Sequence, residues 1–168
     1  LGDLGVAAQH PAAELFLKLL DAPASRWELD ELTGVLGATG VMRRFDLDTD
    51  ALELLRARLH DAGARWGEDE HARERVGAGG YREFSWAFAI DRIVAGFACG
   101  DVGDTLVGDT APLAGVEGQA IAHLDAALAV TETWRRLREE SRHPRPAAEW
   151  QRLLNETFDA LYQPEPND

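Results

Sequence analysis

The stretch Ser85-Trp-Ala-Phe-Ala-Ile-Asp-Arg-Ile-Val-Ala-Gly-Phe-Ala98 is the most apolar in the chain. At helical spacing Trp86, Phe88, Ala89, Ile90, Ile93, Val94, Phe97 and Ala98 cover most of the circumference, and only Asp91 and Arg92 hold a polar edge. A surface helix carries one apolar stripe, whereas a helix apolar nearly all round is buried on several sides. The run is too short and too charged to cross a bilayer, which takes about 20 apolar residues. The stretch therefore predicts the central helix of a soluble bundle, with the rest of the chain wrapped round it.

Start and stop signals mark the elements on either side. His10-Pro11 opens a helix, because Pro suits the first helical position; Ala12, Leu15, Phe16, Leu19 and Leu20 form its stripe, and Asp21-Ala22-Pro23 stops it. Ser25-Arg26-Trp27-Glu28 reads as a capping box. A short helix follows with Leu29, Leu32, Val35 and Leu36 inward and Gly37 at its end, then a turn of helix over Gly40–Phe45. Asp48 is an N-cap with Leu47 and Leu52 at the spacing of a hydrophobic staple. Leu52, Leu55, Leu59 and Ala62 line the helix it starts, and Gly63 closes it. The longest helix is predicted from Glu117 to about Arg138, with Ile121, Leu124, Leu128, Thr131, Trp134 and Leu137 packed along the 85–98 helix. Pro144 and Pro146 break the chain; Ala147, Trp150, Leu153, Leu154, Phe158 and Leu161 define a last amphipathic helix. Thr105-Leu-Val is too short an alternation to count as a strand. The expected fold is all-α, a compact bundle of six or seven helices: residues 1–10 a ragged entry, 11–162 one helical domain, 163–168 a polar tail.

The chain has 168 residues and a formal net charge of −13. That length suits one domain. The charge disfavours a free-standing nucleic-acid binder, since phosphates need a basic surface, but it leaves room for a local basic patch. Cys99, the one cysteine, can form no internal disulfide and reads as a buried, inert thiol. With no signal peptide or membrane span, the expected compartment is cytoplasmic. The chain begins at Leu1 without Met, which suggests a piece of a longer polypeptide.

No stretch carries a catalytic motif. Gly67-Glu68-Asp69-Glu70-His71 lacks metal-ligand spacing and reads as a solvated acidic loop. Gly77-Ala78-Gly79-Gly80 lacks the Lys-Ser/Thr ending of a phosphate-binding loop. In the long loop after Cys99, counting from Asp101 puts Pro112 where a calcium loop needs Glu. No metal and no cofactor are expected. The single basic island is Arg135, Arg136, Arg138, Arg142 and Arg145, set against Glu139 and Glu140, with Arg43 and Arg44 as a second basic pair. These seven arginines are the candidates for a phosphate or partner contact, which becomes DNA contact if the resemblance described next holds. Cations near a helix C-terminus are equally explained by the helix dipole.

Several blocks resemble the RecC family, the gamma subunits of bacterial exodeoxyribonuclease V. Arg44-Phe45-Asp46 is followed by Gly63-Ala64-Arg65-Trp66-Gly67-Glu68-Asp69, similar to the family's Gly-x-Arg-Trp-Gly-x-Asp. Trp86-Ala87-Phe88 through Arg92 to Gly96 resembles its Trp-x-Phe-x-x-x-Arg-x-x-x-Gly, and Trp134-Arg135-Arg136 and Glu149-Trp150 also fit. The resemblance runs from about Arg26 to Phe158, most specifically in the 63–69 block.

The resemblance implies a helical insertion, subdomain 2B, of a superfamily 1 helicase-like region without ATPase motifs. It further implies RecB-like and RecD-like motor subunits as partners, DNA in the assembled complex, and a part in DNA repair and recombination. No catalytic or Chi-reading residue of the family maps onto these blocks. From the residues themselves, Arg65 and Trp66 are expected to cover a helix end. Arg92, polar on the most apolar helix that Trp86 opens, is expected to pair with a carboxylate such as Asp46 or Asp69. The leading expectation is a non-catalytic structural and DNA-guiding domain, monomeric alone; a stand-alone helical protein-binding adaptor is the alternative.

Overall fold

The computed structural model describes residues 10–100, 103, 105–116, 118 and 123–165. Among them eight helices follow in order: α1 (Pro11–Asp21), α2 (Leu29–Leu36), α3 (Thr39–Arg44), α4 (Thr49–Ala62), α5 (Glu70–Arg75), α6 (Trp86–Cys99), α7 (Leu124–Glu140) and α8 (Ala147–Leu161). The only β feature among them is an isolated bridge between Val107 and Thr110. The proposed start of the longest helix at Glu117, its Ile121, and the loop residues Asp101 and Asp104 lie outside the described residues.

Most boundaries follow local chemistry. The His10 ring nitrogen accepts from the Ala12 N–H, Asp48 accepts from Ala51 N at 2.7 Å, and Ser85 accepts from Phe88 N at 3.2 Å. Each satisfies an amide that has no partner within its helix. Gly63 ends α4 at φ 101°, a left-handed conformation that suits glycine.

Four expectations are corrected. First, α5 adds a helix to the expected six or seven: Asp69 accepts from Ala72 N at 2.7 Å and turns the supposed acidic loop into a capped helix. Second, the capping box before α2 is displaced. Ser25 accepts from Trp27 N, while Glu31 accepts from both the Glu28 amide and the Ser25 hydroxyl, each at 2.8 Å. Trp27 lies between at φ 61°, so the chain turns once more before the helix begins at Leu29.

Third, the hub is α2, not the 85–98 helix. Leu32, Val35 and Leu36 are fully buried, and α2 packs against α3, α4 and α7. Helix α6 packs chiefly on α4, burying Trp86, Ala89, Ile93 and Gly96. Its Val94 and Phe97 remain 49% and 50% exposed, and Cys99 is exposed rather than buried. Fourth, α7 packs chiefly on α2 and α8, not along α6. Its buried face is Leu124, Ala127, Val130, Thr131, Trp134 and Leu137, with Leu128 turned partly to solvent.

Three tryptophans tie the helices together. Trp27, Trp86 and Trp134 are all buried. The Trp86 indole N–H donates to the Trp27 carbonyl at 2.7 Å, and the rings of Trp27 and Trp134 meet edge to face, centroids 5.8 Å apart. Such a pair adds about 1 kcal/mol beyond the area it buries.

Candidate nucleic-acid interface

The 63–69 block is a junction. Leu29 N donates to Arg65 O, Arg65 N to Phe84 O and Trp86 N to Gly67 O, each at 3.0 Å, and Gly67 N to Arg26 O at 2.9 Å. The block thus joins the entry to α2 with the entry to α6. Its residues have separate duties: Gly63 and Gly67 take positive φ, and Asp69 caps α5. Arg65 covers the end of α4, donating to His60 O at 2.8 Å and Ala64 O at 2.9 Å. Its guanidinium also lies 6.0 Å from the centre of the Phe84 ring.

Arg92 is paired, but with carbonyls instead of the expected Asp46 or Asp69. It donates to Ala62 O and Ala111 O, both at 2.9 Å, and rests 5.6 Å from the Phe88 ring centre. The C-terminus of α4 offers unpartnered carbonyls and the negative end of a dipole, so a cation there needs no carboxylate. The loop it holds passes closely over α6, with Leu113 N donating to Arg92 O at 2.9 Å.

Arg73 was missed by sequence reasoning. It is 5% exposed, stacks 4.6 Å over Trp66, and donates to Trp66 O at 2.7 Å, Tyr81 O at 3.1 Å and Glu83 O. Burial pulls its pKa down. The one available sequence signal was the Asp69 cap, which makes residues 70–75 helical; nothing local marks residue 73 as buried.

The basic island divides on folding. Spacing of three along α7 aligns Arg135 and Arg138 on one face, and Arg142 lies in the turn after the helix. Arg136 turns toward α8 and pairs with Glu156 at 2.7 Å. Arg145, between α7 and α8, pairs with Glu140 and, at 3.6 Å, with Glu149. Arg135 is held by Glu132 (Nε to Oε2 2.9 Å), and Arg142 by Glu139 at 2.7 Å. Arg138 is half-buried over the Trp27 ring at 5.0 Å and donates to the carbonyls of Pro23 and Ser25. Burial is the largest influence lowering its pKa. Arg43, on α3, donates to Gln163 O at 2.8 Å and pairs with Glu165 at 2.9 Å. Arg44 is exposed, 6.0 Å from the Phe45 ring centre.

Folding also brings in two arginines from elsewhere in the chain. A cavity of about 260 Å³ is lined by Arg26, Arg75, Arg138 and Trp66 and, among the described residues, by no carboxylate. Arg26 and Arg75 are exposed, and among the described residues neither makes an ion pair. Glu68 is the carboxylate that feels this face. Desolvation, helped by Asp69, pushes its pKa up against the pull of Arg138, Arg135 and Arg75. In a chain of net charge −13, this cleft is a local positive surface beside an aromatic ring.

Comparison with known proteins adds identity to this geometry. The family model described as RecBCD enzyme subunit RecC fourth domain matches residues 9–168. The RecBCD enzyme subunit RecC of Escherichia coli (strain K12) is 28% identical over 172 residues, covering 98% of this chain and 15% of that protein. The subunit of the same name from Mycolicibacterium smegmatis (strain ATCC 700084 / mc(2)155) is 28% identical over 161 residues, covering 96% and 15%. That from Mycobacterium tuberculosis (strain ATCC 25618 / H37Rv) is 25% identical over 113 residues, covering 67% and 10%. The chain therefore spans about 15% of the length of the first two relatives.

Proposed function

The chain belongs to the RecC fourth-domain family, and from that premise we propose that it is a non-catalytic structural and DNA-guiding domain of a RecC-type subunit. In this reading it works within an exodeoxyribonuclease V complex, beside RecB-like and RecD-like motor subunits, in unwinding and degrading DNA during break repair and recombination. Residues 11–162 act as one unit, corresponding to helicase subdomain 2B. The stand-alone adaptor is not favoured, because the matching family model is one domain of a larger enzyme subunit. Among the described residues no helix is long and apolar enough to cross a membrane.

One observation supports the guiding role: the cleft that Arg26, Arg75 and the half-buried Arg138 line beside Trp66, with no carboxylate among the described lining residues. Arg135 extends the same face along α7, and Arg142 follows in the turn after that helix. Phosphate contact there is sequence-independent, since arginine forks meet phosphate oxygens whatever the base. Arg135, Arg142, Arg136, Arg145 and Arg43 are engaged by Glu132, Glu139, Glu156, Glu140 and Glu165, so as strand contacts they rank behind the cleft.

The test is single-stranded DNA binding as a function of salt. Each neutralised phosphate contributes about 0.7 to the slope of log K against log salt for single strands. Arg26→Ala with Arg75→Ala should therefore lower the slope by about 1.4, and Arg136→Ala should leave it nearly unchanged. A slope indifferent to the double substitution leaves a structural domain with no guiding role through this cleft.

A further inference from the structure

We propose that the outer flank of α6 is a docking surface for another domain of the same RecC-type polypeptide. Helix α6 has more apolar surface than its neighbours use. Ala89, Ile93 and Gly96 face the core, while Ile90, Val94 and Phe97 form an adjacent row at spacings of four and three. Val94 is 49% exposed and Phe97 50%. Beside this row a cavity of about 130 Å³ opens between α6 and α7, lined by Ala87 and Ile90 on one side and Thr131 on the other, with Trp27 and Trp86 also lining it. Leu128, 41% exposed, lies one turn from Thr131 on α7. Three charged residues line this cavity: Glu132 and Arg135 pair with each other, and Glu68 is the third. Apart from Glu68, the flank thus presents aliphatic and aromatic groups with little free charge, on a molecule of net charge −13.

Such a face matches a protein surface and not a phosphate backbone. The occupant follows from what the chain leaves out. It matches a fourth domain and spans about 15% of the length of the relatives, so most of such a polypeptide lies outside it. A domain of one polypeptide is present at a high effective concentration beside its neighbours, and apolar faces between fixed domains are covered permanently. This inference rests on the reading of the chain as one domain of a larger subunit.

The experiment is hydroxyl-radical footprinting of Val94, Phe97 and Leu128. It compares this 168-residue chain with the full-length subunit that carries it, the latter without its partner subunits. Modification of Val94 and Phe97 should fall at least five-fold in the subunit alone. Equal reactivity in both overturns the proposal, including the case where protection appears only after the motor subunits are added or the chain self-associates. A second measurement uses Val94→Glu with Phe97→Glu. The 168-residue chain should keep its melting temperature, while the full-length subunit becomes sensitive to limited proteolysis; a subunit as resistant as the parent refutes the docking face. Reactive Phe97 with strand binding still dependent on Arg26 and Arg75 sinks the docking face alone. Protected Phe97 with no such dependence sinks strand guidance alone.

Discussion

Replacing Arg73 by Met keeps an unbranched side chain of similar length and removes every donor. Three backbone carbonyls then lose their partner: Trp66 at 2.7 Å, Tyr81 at 3.1 Å, and Glu83. Hydrogen bonds from a charged donor contribute about 1.5–3 kcal/mol each. The simple sum overstates the loss. Tyr81 and Glu83 are exposed residues whose carbonyls can take up water, while Trp66 is half-buried. Met also avoids the cost of burying a guanidinium, which offsets part of what is lost. A net destabilisation of about 3 kcal/mol remains, equivalent to a fall of roughly 6–12 °C in Tm for a chain of this size. Urea denaturation measures it as a lower midpoint at unchanged slope. Arg73→Lys should recover less than half, because one ammonium cannot span three carbonyls placed for a planar fork. The damage should also be local, raising hydrogen exchange at the start of α6, which follows the tethered segment. A variant within about 0.5 kcal/mol of the parent, the range of ordinary surface changes, would refute the clamp.

Three further outcomes are expected. Gly96→Ala places a methyl inside van der Waals contact with the Leu113 carbonyl oxygen, and that backbone is tied to Arg92. Thermal melts should show a loss of about 1–3 kcal/mol, the usual cost of overpacking. Glu68 titrates above its ordinary 4.5 in the folded chain, so the folded state holds that proton more tightly and the ionised form costs stability at neutral pH. Glu68→Gln should accordingly raise Tm at neutral pH, the gain shrinking as pH falls through the raised value and vanishing below 4.5; a gain that grows on acidification would contradict the assignment. Trp86→Phe removes the donor to the Trp27 carbonyl and should cost about 1–3 kcal/mol for the unpaired group, read from the urea midpoint.

Much of the helical framework is written in the order of residues. Asp48, Gly37 and Gly63 set helix ends through contacts within four or five positions, so a linear reading finds them. The 63–69 and 86–96 blocks carried the family resemblance in the same way, and the family model agrees with it. Helix α5 was hidden because six residues are too few to show a period, although its Asp69 cap was in plain view.

What the chain order could not decide was who meets whom. Apolarity says which surfaces would gain from leaving water, not which ones find a partner: α6 is the greasiest helix, yet the short α2 became the hub and left Val94 and Phe97 outside. Arg92 lies 30 positions from the Ala62 carbonyl it holds, and Arg73 becomes buried through contacts reaching from Trp66 to Glu83. The basic cleft joins Arg26, Arg75 and Arg138 from three separate elements, while the linear island was split between opposing carboxylates. Local hydrogen bonds act over one turn of helix and are encoded there; burial and long-range electrostatics act across space, and only the packed chain sets those distances.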